Sequence, residues 1–379
     1  MKLRKSRYRR NHRGWLLLFL FVAWLIISLW QAPTLPQTAK SAQMRGIWMT
    51  NLGAALMFYT TRLDETVAEI AKYNLNTLYP AVWNRGGTLY PSSVIKRAGG
   101  GSSLPFPDVV AGLVAQAHRQ HLRIIPWFEY GLMIPANSTI ARSHPEWLTH
   151  TNHQGQAWLN PVHPQVQQFL TDLIVEVVER YPVDGIQLDD HFAFPVELGY
   201  DAYTTKLYQA EHQGRKPPAD FTDTEWMAWR AAYLTALMNK IVKAVKLVRP
   251  DAIVSLSPHP PHFAYSKYLQ DWTRWVELGL LDEVVVQLYR AELATLESEL
   301  YGELHALRRA VPMSIGLYTG PFRAAKPITA IQQEVEAVRQ AEYAGVAFFC
   351  WETTLWIFKG SSPSQTEQVL HRLFSTSKS

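Results

Sequence analysis

The sequence predicts an α/β chain built on a (β/α)8 TIM barrel, preceded by an N-terminal membrane anchor or signal segment, and three observations carry that prediction. Eight apolar runs of strand length alternate with about eight stretches of helical spacing, with no break in composition between them. Each run reads as a strand buried on both faces, the pattern of a parallel sheet covered by helices. Several of the runs end in carboxylates, amides and aromatic rings, and strand C-termini are where such a barrel keeps its functional groups. The 379 residues, 47% of them hydrophobic, suffice for one large domain of this kind.

The chain opens with Lys2, Arg4, Lys5, Arg7, Arg9, Arg10 and Arg13, followed by the uncharged apolar run from Trp15 to Trp30. These 16 residues exceed the roughly 7 to 15 of a signal core and fall short of the roughly 20 of a full span. Residues 1–30 are therefore expected to be a basic flank and a signal or anchor. The flank stays cytoplasmic, and the remainder lies outside, anchored in the inner membrane by residues 15–30. Residues 31–44, with Pro33 and Pro36, read as a linker. Residues 45–379 then carry the barrel. Its strands are expected at 46–50, 77–83, 123–130, 185–190, 253–259, 283–289, 312–320 and 346–353. Its helices are expected at 63–73, 106–121, 164–181, 225–248, 265–278, 293–310, 329–343 and 364–374.

Composition and motifs exclude several functions. The chain carries +5, but residues 1–44 hold eight Lys/Arg and no acid, so the remainder sums to −3, the +5 less those eight. A mildly acidic domain is not a nucleic-acid binder. The turn Asn51-Leu52-Gly53-Ala54-Ala55 lacks a dinucleotide fingerprint, and P-loop, His-Glu-x-x-His and Gly-x-Ser-x-Gly motifs are missing. Cys350, the single cysteine, lies in an apolar run and reads as a core thiol, with no disulfide or cysteine-ligated metal.

What remains is chemistry by carboxylates. The run Gly185-Ile186-Gln187-Leu188-Asp189-Asp190-His191 carries an apolar strand straight into two acids and an imidazole. Two acids cannot sit unpaired in a strand interior, so Asp189 and Asp190 belong where the strand leaves the core. Other predicted strands end at Trp83, Asn84 and Arg85, at Trp127 and Glu129, at His259, at Gln287 and Tyr289, and at Trp351 and Glu352. Rings that stack on sugar C–H faces, set among groups that bond hydroxyls, make a carbohydrate cleft. The expected substrate-binding set is Trp83, Asn84, Arg85, Trp127, His191, His259, Gln287, Tyr289, Trp351 and Glu352. No cofactor is expected. His191, His259 and His262 have no regular ligand spacing, so no metal is expected either.

Four motifs in order, Arg45-Gly46-Ile47-Trp48, Leu75-Asn76-Thr77, Trp158-Leu159-Asn160-Pro161 and Val183 through Asp190, resemble the glycosyl-hydrolase-like family 10 proteins. Tyr90-Pro91-Ser92, Pro145-Glu146-Trp147-Leu148 and Gly199-Tyr200-Asp201 extend the resemblance over roughly residues 44 to 355, with a departure at Ser93 to Pro105. It implies an exported (β/α)8 glycoside hydrolase, acting on a polysaccharide such as peptide-stripped peptidoglycan strands. Gly185 to Asp189 is also similar to the fourth strand of α-amylase-type barrels, which implies Asp189 as nucleophile, although Gln187 stands where that pattern has arginine. Glu129 follows an apolar run that should raise its pKa, and is the expected proton donor, with Glu352 as rival. If the chain turns at Asp190, the aspartate pair could instead work in a substrate-assisted way on an N-acetylated sugar. Two alternatives stand beside the hydrolase: a non-catalytic, membrane-tethered glycan-binding protein, and a metal-assisted hydrolase sensitive to chelators.

Overall fold

The computed structural model describes residues 12–29, 31–36, 43–101, 108–151 and 155–374. Its centre is a nine-stranded parallel sheet. The strands lie in the order Arg123–Ile124, Thr77–Pro80, Met44–Met49, Gly345–Phe349, Met313–Tyr318, Glu283–Gln287, Ile253–Ser257, Gly185–Asp189 and Trp127–Phe128. The first and last of these are separated in the chain only by Ile125 and Pro126, so the sheet curls until its ends meet in one run. Ile125 N donates to Leu78 O at 3.0 Å on one side, and Gln187 N donates to Pro126 O at 2.8 Å on the other. Pro126 has no N–H to give, which is why the single strand expected at 123–130 is two short pieces.

Inside the curl, Trp48, Tyr79, Ile125, Trp127, Val285 and Ala347 pack together. Gln187, which stands where the α-amylase-type pattern has arginine, ties this interior: Trp48 Nε1 donates to its Oε1 at 2.7 Å, and its Nε2 donates to Ser255 Oγ at 2.9 Å. Helices Leu63–Lys72, Val109–Arg119, Pro164–Arg180, Thr224–Val248, Ile328–Gln340 and Pro363–Phe374 follow the expected spacing. The helix expected at 265–278 is broken in two. Leu269 adopts φ +49° after Pro261–Tyr268, and Asp271 caps a new start at Trp272–Glu277.

The last expected strand, 346–353, stops at Phe349 and gives way to a helix, Trp351–Thr354, and among the other features that were not expected three lie at the strand ends. A helix, Asn51–Tyr59, follows the first strand. An antiparallel sheet of Met133–Pro135, Gln156–Leu159 and Leu148–Thr151 follows Trp127–Phe128. A hairpin, Trp83–Asn84 with Gly87–Thr88, follows Thr77–Pro80. All three extend from the C-terminal ends of sheet strands, and so build up that end of the sheet.

The N-terminal apolar run is helical. Residues His12–Leu29 form a helix of 18 residues with Trp15 through Val22 exposed, while the basic residues 2–10 and Trp30 lie outside the described residues. At about 1.5 Å per residue this helix reaches roughly 27 Å, short of a hydrocarbon core of roughly 30 Å. Among the described residues no helix is long and apolar enough to cross a membrane. The expected linker is partly docked. Ala32 N donates to Asp64 Oδ2 at 2.6 Å, Leu35 N to Gln120 Oε1 at 3.0 Å, and Gln120 Nε2 to Pro33 O at 3.0 Å. Residues 37–42 of that linker are not among those described.

Candidate active site

The strand Gly185–Asp189 ends at its first carboxylate, and the chain turns at Asp190, with Phe192 N donating to Asp189 O at 3.0 Å. That turn defeats the alternation of an extended strand and brings both side chains to the same partners. Gln287 Nε2 donates to Asp189 Oδ1 at 2.9 Å and lies 3.4 Å from Asp190 Oδ1. His191 Nδ1 is 3.4 Å from Asp189 Oδ2 and 3.2 Å from Asp190 Oδ1. His259 Nε2 is 2.9 Å from Asp190 Oδ2. The two aspartates also hydrogen-bond each other.

Their environments push the pair apart electrostatically. Burial, then the neighbouring charge of Asp190, holds Asp189 well above the usual carboxylate range. Burial would also raise Asp190, but His191 and His259 together overcome it and hold Asp190 well below that range. The pair's negative charge therefore belongs on Asp190. Burial opposes a charge on His191, yet Asp190 first and Asp189 after it lift the imidazole to about 11, so it is an imidazolium at neutral pH.

Glu129, just past Trp127–Phe128, meets solvent at the mouth but is crowded enough that burial lifts its carboxyl to about 7. A hydrogen bond from Asn84 Nδ2 to Glu129 Oε2 and the charge of His191 limit the rise. The main chain links the two centres, since His191 Nδ1 lies 3.1 Å from Glu129 O. Tyr130 stacks on His191 with ring centroids 5.6 Å apart and planes 7° from parallel, and Arg85 Nε donates to Tyr130 OH at 3.2 Å. Tyr289 is half-buried between Tyr318 and Phe349, where crowding first, and then the charges of the two aspartates, raises its phenol.

The structure thus gathers Asp189, Asp190, His191, His259, Gln287, Glu129, Asn84, Arg85 and Tyr289 of the sequence set. Four members stand differently. Trp83 is fully buried, packs edge-on to Phe169 and donates to Gly131 O at 3.0 Å, so it anchors the hairpin. Trp351 is buried with its ring on Trp356. Trp127 is buried in the interior of the curl against Trp48 and Phe349, and among the described residues its indole N–H has no partner. Glu352 Oε1 accepts from Thr50 N at 3.1 Å and Thr50 Oγ1 at 2.5 Å, at the N-terminus of Asn51–Tyr59, so it ties that helix to the sheet.

Several residues of the site were not singled out from the sequence. Gln270 Nε2 donates to Asp189 O at 3.0 Å and Phe192 O at 2.8 Å, pinning the turn that aligns the aspartates. Phe263 and Tyr268 pack on His259 with centroids 5.0 and 5.9 Å away, and Phe263 is exposed, forming an aromatic wall beside Asp190. Their signal was the Pro260-Pro261-His262-Phe263 stretch after a strand, which reads as helix packing until His259 is located. Asp189, Asp190 and His191 also offer ligand atoms within 4.8 Å of one another, the group that could hold a metal ion. A cation there would have to displace the proton of His191 and the amide of Gln287, which already balance the acids.

A family model described as Glycosyl hydrolase-like 10 matches residues 43–338. The chain is 25% identical over 313 residues to the protein named Glycosyl hydrolase DigH of Escherichia coli, a match covering 66% of this chain and 67% of that one. The Shigella flexneri protein of the same name matches to the same extent. Among solved structures, the PgaB (BpsB) glycoside hydrolase domain from Bordetella bronchiseptica is similar with a TM-score of 0.62 at 10% identity, over 88% of this chain and 99% of that one. Alpha-L-fucosidase isoenzyme 2 from Paenibacillus thiaminolyticus is similar with a TM-score of 0.59 at 13% identity, over 88% of this chain and 49% of that one. At these identities the likeness is one of fold, an α/β chain with a curled parallel sheet resembling glycoside hydrolase barrels.

Proposed function

The chain belongs to the glycosyl hydrolase-like 10 family, and on that premise we propose that it is a (β/α)8 glycoside hydrolase cleaving O-glycosidic bonds of a polysaccharide, with peptide-stripped peptidoglycan strands as substrate. The observation that carries this reading is a carboxyl lifted to about 7, Glu129, joined through His191 to a carboxylate pair whose charge is held in place by two imidazoles and an amide. Such a division of pKa values is how two-carboxylate glycosidases assign acid and base. Glu129 gives its proton to the leaving oxygen. The charged Asp190 opposes the positive charge that grows at the anomeric carbon, a water forms the new bond to that carbon and passes its proton to the aspartate pair, and Tyr130, Phe263 and Tyr289 offer faces to the sugar rings. Asp189 and Asp190 act as a unit, so losing either amounts to losing both.

A second reading is favoured by the turn at Asp190. With both aspartates on one set of partners, Asp190 would orient a 2-acetamido group while the raised Asp189 protonates the leaving oxygen. That version needs an N-acetylated sugar, and strands stripped of N-acetyl groups would then be inert.

The basic flank and the apolar helix His12–Leu29 support delivery of the domain outside the cytoplasm, with the helix engaging the inner membrane.

The test is digestion of purified glycan strands by the full-length chain, with new reducing ends read by mass spectrometry. Cleavage should fall by about 10²- to 10⁴-fold in Glu129→Gln, as for loss of a general acid, and at least as far in Asp189→Asn and Asp190→Asn. A chelator should leave it unchanged. Retention of strands without cleavage by wild type would favour the binding protein, and loss of cleavage with chelator would favour a metal at Asp189, Asp190 and His191.

A further inference from the structure

Arg85 occupies a conformation that an arginine rarely takes. The hairpin pairs Trp83 with Thr88 and Asn84 with Gly87, which leaves Arg85 and Gly86 as a two-residue turn with φ of +51° and +81°. Turns of this type normally place Asn or Gly at the first position, because a Cβ there costs about 1–2 kcal/mol. Strain of this kind persists at functional sites. The hairpin is fixed at its base by buried Trp83 and on its flank by Asn84, which holds Glu129. Arg85 therefore projects from a rigid mount, one residue from the group that positions the proposed acid.

The side chain is also unspent. Nε donates to Tyr130 OH, whose ring lies flat on His191, while both Nη groups are without a protein partner among the described residues. Arg62, Arg180, Arg215, Arg274, Arg290 and Arg308 each meet a carboxylate, while exposed Arg97, Arg309 and Arg323 meet none among the described residues. Arg85 meets none among the described residues, although the Glu129 carboxyl lies close enough to act on its charge.

We propose that Arg85 determines specificity for an acidic glycan, its free Nη edge taking a carboxylate carried by the sugar on the Tyr130 side of the scissile bond. The proposal rests on the glycosidase reading and names the substrate class of that site. Glu129 in its ionised form repels an anionic substituent, and a guanidinium at the mouth offsets that repulsion for the anion it pairs with. Its planar edge matches a carboxylate in bidentate fashion, and a single cation suits one negative charge better than a dianionic phosphate. A neutral glycan would gain nothing from a strained, solvated arginine. The carboxylate could belong to a lactyl ether or to a uronic acid, which share this chemistry.

The experiment compares two acidic glycans, lactyl-bearing strands and uronate-containing oligosaccharides, each with a copy whose carboxylates are converted to neutral amides. The full-length chain is used, with kcat and KM for wild type, Arg85→Gln and Arg85→Lys, and Kd measured in Glu129→Gln with and without Arg85→Gln. One acidic glycan should exceed its amide by about tenfold or more in kcat/KM, an energy of ~1.4 kcal/mol, with the difference in KM. That ratio should fall to about one in Arg85→Gln and return in part in Arg85→Lys. Equal handling of acid and amide by wild type, or a ratio unmoved by Arg85→Gln, overturns the proposal and leaves the glycosidase intact. Selective, Arg85-dependent binding of the acid without cleavage by wild type overturns the glycosidase alone, and absence of binding to every glycan overturns both.

Discussion

At the residue scale the site is governed by where protons rest. Glu129 sits at about 7 because burial disfavours its charge, and Asn84 opposes that by donating to the ionised form. A proton donor works only while protonated, so kcat/KM should fall as pH rises through about 7. Asp190, held well below the usual range by His191 and His259, imposes no loss until far lower pH. Replacing Asn84 by Ala removes the group that stabilises the carboxylate, which raises the pKa further. The alkaline limb should therefore move to higher pH in Asn84→Ala, read from pH–rate profiles, and a limb that stays put would take Glu129 out of the donor role. Asp189, Asp190 and His191 were legible in the sequence because a short, largely apolar strand does not end in two acids without a purpose. Gln270, Phe263 and Tyr268 were not. An amide beyond a helix break and two aromatic rings are chemically silent until the fold sets them against Asp189 O and His259.

At the element scale, legibility followed length. Strands such as Glu283–Gln287 and helices such as Pro164–Arg180 run long enough to display a period, and the sequence announces them. The three-stranded sheet from Met133 to Leu159 has pieces of three and four residues, too short for alternation to be distinguished from chance. It nonetheless bears on the site, since Trp158 donates to Ala193 O at 2.7 Å and Leu132 N to His191 O at 3.0 Å, bracing the loop that carries the imidazolium. The brace turns on Gly131, whose φ is +45° and where an added Cβ would stand 2.5 Å from Phe192 N and 2.6 Å from the His191 carbonyl carbon. Backbone cannot swing aside as a flexible side chain can. Gly131→Ala should cost about 1–2 kcal/mol from the left-handed conformation alone, read as a lowered urea midpoint, and the displaced His191 should depress kcat beyond what the lost stability explains. Retention of full kcat in a folded Gly131→Ala would separate the brace from the catalytic geometry.

At the scale of the whole molecule, the strip 31–36 decides how the apolar helix relates to the domain. Composition suggested a loose linker, because prolines and small polar residues usually signal one. What composition could not carry is that Asp64, in the first turn of Leu63–Lys72, and Gln120, closing Val109–Arg119, both turn outward to take the strip's backbone. Asp64 is nearly buried under it, and Ala32 is 4% exposed. A carboxylate that loses its backbone donor while remaining crowded costs about 1–3 kcal/mol. A chain beginning at residue 43 should therefore unfold at lower urea than one beginning at residue 31, by that amount. Asp64→Ala should weaken the longer chain and leave the shorter one nearly unchanged, because the partner it serves is already gone. Should both chains respond alike to Asp64→Ala, the carboxylate would be supporting its own helix, and the strip would be a passenger. A strip that does hold leaves residues 37–43 between its end and the first strand, and fixes the chain that follows the apolar helix against the flank formed by Leu63–Lys72 and Val109–Arg119. With the helix engaging a membrane as proposed above, the domain would meet that membrane from the side of this flank.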